Sequence, residues 1–452
     1  MHKITKALEK KLDAIPLNPP LVLLIGFAVL ILSGAILLNL PQVTRAGNSV
    51  GFINALFTAG SASCVTGLVV VNTGQTFNLA GQIIILILIQ IGGLGIMTLA
   101  TIIPLFLGKK IGLVSRQILK EQLNLDSFSG IIRLLRYVIV FTLTVELIGS
   151  LILATRLVPL YGARLGTWYS IFHSVSAFCN AGFDVMGDSI YPLRGDLVIN
   201  YTIMALVVIG GLGFLVNKEI FKFKNPKKLS TQAKIVLLSS LLLILGGALV
   251  FFLLEYSNPA TLAGEKSLQV KINQSLFQSV ISRTAGFYSV PLAGLRDSTS
   301  FLLTILMFIG GSPGSTAGGL KTTTFAVLVL SSLSTLRGQE EPIVFQRHIP
   351  SRTIRKALSL VIASLALVIL VAFILTISEQ QKFIDLVFET VSAYGTVGLS
   401  KGITPELSAI GKIMITLTMY AGRVGPLTLG FAIGNRQKNA KIRYAAANIT
   451  VG

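Results

Sequence analysis

Apolar residues dominate eight long runs of this chain, near residues 21–40, 79–107, 137–160, 197–217, 235–254, 300–336, 357–377 and 408–433. An α-helix needs roughly 20 such residues to cross about 30 Å of hydrocarbon, and each run meets that length. The runs come in pairs, and a shorter amphiphilic stretch separates the two members of each pair. A helix of about 12 residues extends only roughly 18 Å, so these intermediate helices cannot cross and must re-enter. The pattern therefore predicts four units, each with a spanning helix, a short helix, a turn and a second spanning helix.

The turns say nearly the same thing four times: Val65-Thr66-Gly67-Leu68, Asn180-Ala181-Gly182-Phe183, Thr284-Ala285-Gly286-Phe287 and Thr396-Val397-Gly398-Leu399. Phe57, Phe172 and Phe388 each stand ten residues before their glycine, and Ser61, Ser176 and Ser392 six before. In the third unit Phe277 stands nine before Gly286, so that short helix is one residue shorter. Each turn is followed by a second cluster: Gly92-Gly93-Leu94-Gly95, Gly210-Gly211-Leu212-Gly213, Gly310-Gly311-Ser312-Pro313-Gly314 and Gly422-Arg423-Val424-Gly425. Such a repeat predicts four equivalent units around one axis.

A short helix that stops inside the membrane points a partly negative C-terminus at that axis. Irregular backbone is tolerated at such depth only where it lines a polar pathway or is buried in protein. Small residues with free carbonyl oxygens can replace the hydration shell of an alkali cation, and glycine permits the positive φ that brings carbonyls inward. The candidate cation-binding residues are Val65, Thr66 and Gly67, Asn180, Ala181 and Gly182, Thr284, Ala285 and Gly286, and Thr396, Val397 and Gly398.

Composition supports a membrane protein. The 452 residues are 52% hydrophobic and only 12% charged, with mean hydropathy +0.78; soluble domains carry about 25% charged residues. The net charge of +20 raises nucleic acid as a partner, but its distribution excludes it. Basic residues gather in alternate loops: Lys109, Lys110, Arg116, Lys120, Arg133 and Arg136, then Lys218 to Lys234, then Arg337 to Lys356, besides both terminal segments. By the positive-inside rule those loops and both termini are cytoplasmic, with membrane lipid as a secondary partner. Residues 1–20 carry Glu9 and Asp13, so they read as a cytoplasmic lead into a spanning helix and not as a cleaved signal.

The run 300–336 is interrupted by Gly310, Gly311, Ser312, Pro313, Gly314, Ser315, Thr316, Ala317, Gly318 and Gly319. No helix survives that composition, and its apolar flanks put the break within the membrane. A packing kink needs fewer residues, so a movable intramembrane loop, a gate, is the expectation. The stretch imitates a phosphate-binding loop, but Leu320 separates Gly319 from Lys321 and no strand precedes it. Arg423 lies inside the last run, where a charge must face water or a partner. It is a barrier in the pathway, a member of a structural ion pair, or a donor to carbonyls of the loop. Glu146 and Glu389 share apolar surroundings, with packing or hydrogen bonding as open as ion coordination. Cys64 and Cys179 each precede a glycine by three residues; a metal site or disulfide stands against simple packing. His2, His173 and His348 form no ligand spacing, and no constellation suggests an enzyme.

Over residues 21–433 these motifs resemble the Trk/Ktr/HKT superfamily of potassium transporters, most of all the Ktr-type membrane subunit. Ala177 to Phe183, Arg283 to Phe287, Tyr394 to Leu399 and Gly422 to Pro426 carry the likeness. The first span begins directly after a short basic tail, whereas Trk-type subunits have two additional leading helices. The resemblance implies an all-α integral membrane protein with four tandem M1–pore helix–M2 repeats. These are residues 21–107, 137–217, 235–336 and 357–433, separated by cytoplasmic loops 108–136, 218–234 and 337–356 and flanked by cytoplasmic segments 1–20 and 434–452. It also implies potassium selectivity from glycine at all four turns, possible activation by sodium, no cofactor, and placement in the cell membrane. A homodimer on a cytosolic nucleotide-binding ring of KtrA type is implied as well, with docking at Lys109 and Lys110. The alternative within the superfamily is a sodium-coupled or sodium-permeable transporter. A carrier of another class is disfavoured, because carriers use inverted repeats and side-chain ligands.

Overall fold

The computed structural model describes residues 19–95, 131–223, 226–339 and 341–425. The first quarter contains α1 (Pro19–Leu38), α2 (Phe52–Cys64) and α3 (Leu79–Leu94). The second contains α4 (Ile131–Phe178), α5 (Leu197–Leu212) and α6 (Phe214–Lys222). The third has α7 (Thr231–Glu255), α8 (Leu268–Ile281), α9 (Asp297–Phe308) and α10 (Thr322–Leu336), and the fourth α11 (Ser351–Ser378), α12 (Phe383–Gly395) and α13 (Ala409–Val424). In the second quarter the spanning and short helices form one run that turns a corner at Gly162 (φ 80°, ψ 165°), just beyond Pro159.

Among the described residues α1, α4, α7 and α11 are each long and apolar enough to cross a membrane. They form the outside of the bundle: Leu242, Leu253, Ile369 and Phe373 are all more than 60% exposed. Contiguous apolar surface of this kind is stable against lipid and not against water. The short helices are the inside. Phe57, Phe172, Phe277 and Phe388, the four matched phenylalanines of the sequence pattern, are fully buried. Each second helix packs on the short-helix element of the next quarter, α3 on α4, α5 on α8, α9 on α12 and α13 on α2. The last contact closes the bundle into a ring. The molecule is thus a helical integral membrane protein of four like quarters, with a small hairpin among the described residues, β1 (Ile343–Val344) and β2 (Arg347–His348), before α11.

The start of each second helix follows one rule with two solutions. Asn78 and Asp196 cap α3 and α5 from their own N-cap positions. For α9 and α13 an acid at the end of the preceding spanning helix joins in: Glu255 accepts from Arg296 N (3.1 Å), and Glu379 accepts from Ser408 N (3.0 Å) and Oγ (2.6 Å), while Ser408 Oγ itself caps Gly411 N (3.1 Å). Either way an oxygen meets the unpaired amides and positive dipole of a helix N-terminus.

The far ends differ from the sequence expectation. The runs 79–107, 197–217 and 408–433 read as unbroken spans, yet α3, α5 and α13 stop at Gly95 (φ 85°, ψ 137°), Gly213 (φ 94°, ψ 139°) and Gly425 (φ 92°, ψ 138°). Positive φ is closed to a right-handed helix and open to glycine, so the last glycine of each cluster is the breaking point. After Gly213 the chain resumes as α6 at an angle of 102°. In the third quarter α9 ends at Phe308 and helix returns only at Thr322, which is the interruption expected over 310–319. Residues 1–18, 96–130 and 426–452, which hold most of the expected segments 1–20 and 108–136, all of 434–452, and Lys109 and Lys110, lie outside the described residues.

Candidate functional site

Three of the short helices end in one way. Val65 (φ 58°), Asn180 (φ 59°) and Thr396 (φ 50°) take left-handed conformations directly after or near the last helical turn. Thr66, Ala181 and Val397 then donate their N–H groups back to the carbonyls of Ser61, Ser176 and Ser392 at 2.8, 2.7 and 2.8 Å. This is a glycine-type helix terminus built without glycine, and for β-branched residues it stores strain of about 1–3 kcal/mol. The third quarter reaches the same place differently. Thr284 has φ 78°, and Ala285 N–H returns to Ile281 O at 3.0 Å.

The chain then turns at Gly67 (φ 95°), Gly182 (φ 67°), Gly286 (φ 68°) and Gly398 (φ 92°). The matched serines hold these turns: Gly67 N donates to Ser61 Oγ (3.0 Å), Gly398 N to Ser392 Oγ (3.1 Å), and Ser176 Oγ to Phe183 O (2.8 Å). A Cβ on Gly67 would lie 2.5 Å from Ala181 O, one on Gly182 2.7 Å from Ala285 O, and one on Gly286 2.7 Å from Val397 O. A Cβ on Gly398 would strike Thr66 O. Each glycine therefore abuts the carbonyl before the next quarter's glycine, and the four contacts run once around a single axis. Of the twelve candidate residues, the four glycines and the residues just before them, Thr66, Ala181, Ala285 and Val397, meet there. Asn180 also ties two quarters, its amide nitrogen directed to the carbonyls of Ala177, Phe178 and Val207 and its oxygen accepting from Thr284 Oγ1 (3.1 Å).

On one side the ring opens into a cavity of about 640 Å³ lined by all four glycines. Asp184, Asp188 and Lys401 bring its charges, and Lys401 is held by Asp385 at 2.6 Å. Burial pushes the Asp184 carboxyl up, but the His173 ring and the Met186 and Gly187 amides outweigh it and hold the group below the usual carboxylate range.

On the other side lies the 310–319 loop. Ser312 N donates to Gly211 O (3.0 Å), Thr316 N to Gly210 O (3.3 Å), and Thr316 Oγ1 to Phe178 O (3.2 Å). Gly318 presses so closely on Thr396 that no side chain fits between them. The loop therefore reaches from the second quarter to the fourth beneath the ring. Arg423 occupies the cluster position that Gly93, Gly211 and Gly311 hold elsewhere. Its guanidinium donates to Thr316 O of the loop and to Gly92 O and Gly93 O of α3. Lys321 adds a bond to Ala317 O at 2.8 Å. Of the sequence readings for Arg423, donation to loop carbonyls is the contact present in this conformation.

The remaining buried polar groups stand behind the turns. Glu146 accepts from Gln90 Nε2 (3.3 Å) and from the Cys179 thiol (3.7 Å). Glu389 accepts from the Thr404 hydroxyl. Cys64 and Cys179 are both free and buried, and among the described residues no His/Cys/Asp/Glu group has metal-binding geometry. The sequence reading passed over His173, Asp184, Lys321 and Lys401. A signal for His173 was present: Thr58, His173, Gln278 and Glu389 each follow the matched phenylalanine, so one register position is polar in all four short helices.

Comparison with known proteins adds a second, independent line. The family described as TrkH, cation transport protein, matches residues 26–441. The Ktr system potassium uptake protein B of Bacillus subtilis is 44% identical over 98% of this chain and 99% of its own length. The potassium/sodium uptake protein NtpJ of Enterococcus hirae is 39% identical over 95% of each. Among solved structures, the potassium transporter TrkH from Vibrio parahaemolyticus superposes with a TM-score of 0.73 at 20% identity, over 93% of this chain and 86% of that one, a likeness of fold.

Proposed function

The chain belongs to the TrkH family of cation transport proteins, and from that premise we propose that it is the ion-translocating membrane subunit of a potassium uptake system. The observation that carries the reading is the closed ring in which each turn glycine abuts the next quarter's carbonyl. A ring of backbone carbonyls held at fixed radius strips a cation of water and replaces its shell without any side-chain charge. The four turns are the selectivity filter, potassium is the cargo, and the chemistry needs no cofactor. The acids at the outer cavity raise the local cation concentration before entry.

Below the filter the 310–319 loop and Arg423 form the gate. Arg423 holds the loop through Thr316 O and sets a positive charge beside the path, so the loop leaves when its bond to Arg423 breaks and the gate opens. The four quarters are the repeats 21–107, 137–217, 235–336 and 357–433, with α4, α7 and α11 beginning four to six residues before the last three. Loops 108–136, 218–234 and 337–356 and both termini face the cytoplasm of a cell whose plasma membrane holds the protein. The basic cytoplasmic face, with Lys109 and Lys110, docks a nucleotide-binding ring of KtrA type, and two copies of this chain share that ring as a homodimer.

Uptake of rubidium-86 into liposomes containing the purified chain, with potassium, sodium or lithium competing, tests the reading. Competition by potassium and not by sodium supports it. Equal competition by sodium favours a sodium-permeable transporter of the same family, a reading encouraged by the relative named for potassium and sodium.

A further inference from the structure

One register position of each short helix is polar and buried: Thr58, His173, Gln278 and Glu389. The second quarter makes the most of this position. His173 Nδ1 lies 2.7 Å from the backbone oxygen of Tyr169, and Nε2 lies 2.9 Å from Asp184 Oδ1. A carbonyl oxygen only accepts, so Nδ1 must carry a proton. Asp184 Oδ1 already accepts from Met186 N at 2.7 Å, and Oδ2 accepts from Gly187 N at 2.7 Å and Ser189 N at 3.0 Å. Three amide donors on its two oxygens favour the ionised carboxylate, which also only accepts. Nε2 must then carry a proton too. With both ring nitrogens donating, His173 is an imidazolium, although only 1% of it is exposed.

Asp184 stands two residues beyond the filter glycine Gly182, and the segment it fixes reaches both neighbouring quarters. Gly187 O accepts from Asn72 Nδ2 of the first quarter (3.1 Å), and Ser189 Oγ accepts from Tyr288 N of the third (3.0 Å). We propose that His173 and Asp184 form a buried imidazolium–carboxylate pair that positions the outer mouth of the filter, making both of them specificity-determining residues for the transported ion. Neither touches the ion along the filter; they act through the segment that joins three quarters. The inference rests on the potassium-filter reading above. The tyrosines 161, 169 and 288 and Asp188 are the other titratable groups around the pair, and His173 is the cation beside Asp184.

Two measurements decide it. The chain has three histidines, so a His2→Gln, His348→Gln protein labelled with nitrogen-15 histidine reports His173 alone. Two protonated ring nitrogens near neutral pH support the pair; one unprotonated nitrogen overturns it and needs no variant at the site to fold. The second measurement is rubidium-86 uptake by Asp184→Asn and His173→Gln proteins, with potassium and sodium competing. Misplacing coordinating groups by a fraction of an ångström to an ångström should cut the preference for potassium over sodium by roughly tenfold to a hundredfold. Variants that transport with the parent's preference overturn the positioning role. A parent protein that shows no preference sinks the filter reading itself, so the two failures are distinguishable.

Discussion

Gly398 of the last quarter faces the carbonyl oxygen of Thr66 in the first, with no room for a Cβ between them. That contact joins the two ends of the chain's repeat and turns four tandem units into a ring. Below it the first glycines of the second clusters do a related job, since Gly92, Gly210 and Gly422 rest on the carbonyls of Ser63, Phe178 and Tyr394 at the ends of their own short helices.

Gly92→Ala therefore forces a methyl into the Ser63 carbonyl, whereas Gly246→Ala in α7 meets open space. The first substitution should cost about 1–3 kcal/mol, as overpacking does, and the second should be neutral or slightly stabilising. Thermal unfolding of the two variants in detergent, side by side, checks this. Equal midpoints would mean that the helix end yields freely.

Arg423→Gln removes the charge-assisted bonds to Thr316 O, Gly92 O and Gly93 O. Each such bond contributes about 1.5–3 kcal/mol, so losing one shifts the balance of loop positions by roughly tenfold or more. Rubidium flux should rise while the ion preference is kept, because the filter is untouched. Arg423→Lys should restore little, since an ammonium cannot reach carbonyls on two elements as a planar fork does. Slower flux in Arg423→Gln would contradict the gate assignment.

Asp184 is held below the usual carboxylate range in the folded protein. Its contribution to stability is complete above the unfolded carboxylate value of about 3.9 and is lost as pH falls through the lower folded value. The unfolding midpoint of the parent should drop along that acid limb. Asp184→Asn should be flat there and less stable at neutral pH by about 3 kcal/mol, the cost of leaving one partner of a buried pair alone.

Both cysteines are fully buried and free. A small thiol reagent should modify neither in the folded protein and both after denaturation. Fast labelling of Cys179 would mean that its contacts with Gln90 and Glu146 open readily.

The repeat, the pairing of helices and the break at 310–319 were legible because they rest on composition and spacing along the chain. The hinge at Gly213 and the stops at Gly95 and Gly425 were not. Each glycine of the second clusters costs a helix only about 1 kcal/mol, and which one takes positive φ is set by what it packs against. The left-handed Asn180 had a hint in its residue type; Val65 and Thr396 had none, being residues that avoid that conformation. Arg423 was recognisable as an anomaly, but its partners lie in two other quarters, a relationship that only the closed ring creates. The polar register position of the short helices marked His173, but its partner Asp184 stands eleven residues further on, in the loop beyond the helix, where no repeat points to it.

The central claim is that four glycine turns form one potassium-selective ring, and the direct measurement is ion preference in the parent against Gly67→Ser, Gly182→Ser, Gly286→Ser and Gly398→Ser. Rubidium-86 uptake into liposomes, competed by potassium or sodium, supplies it. The account predicts strong preference for potassium in the parent and a loss of preference in all four variants, because each added side chain meets the next quarter's carbonyl. Variants that retain the parent's preference, or a parent that treats sodium and potassium alike, would contradict it.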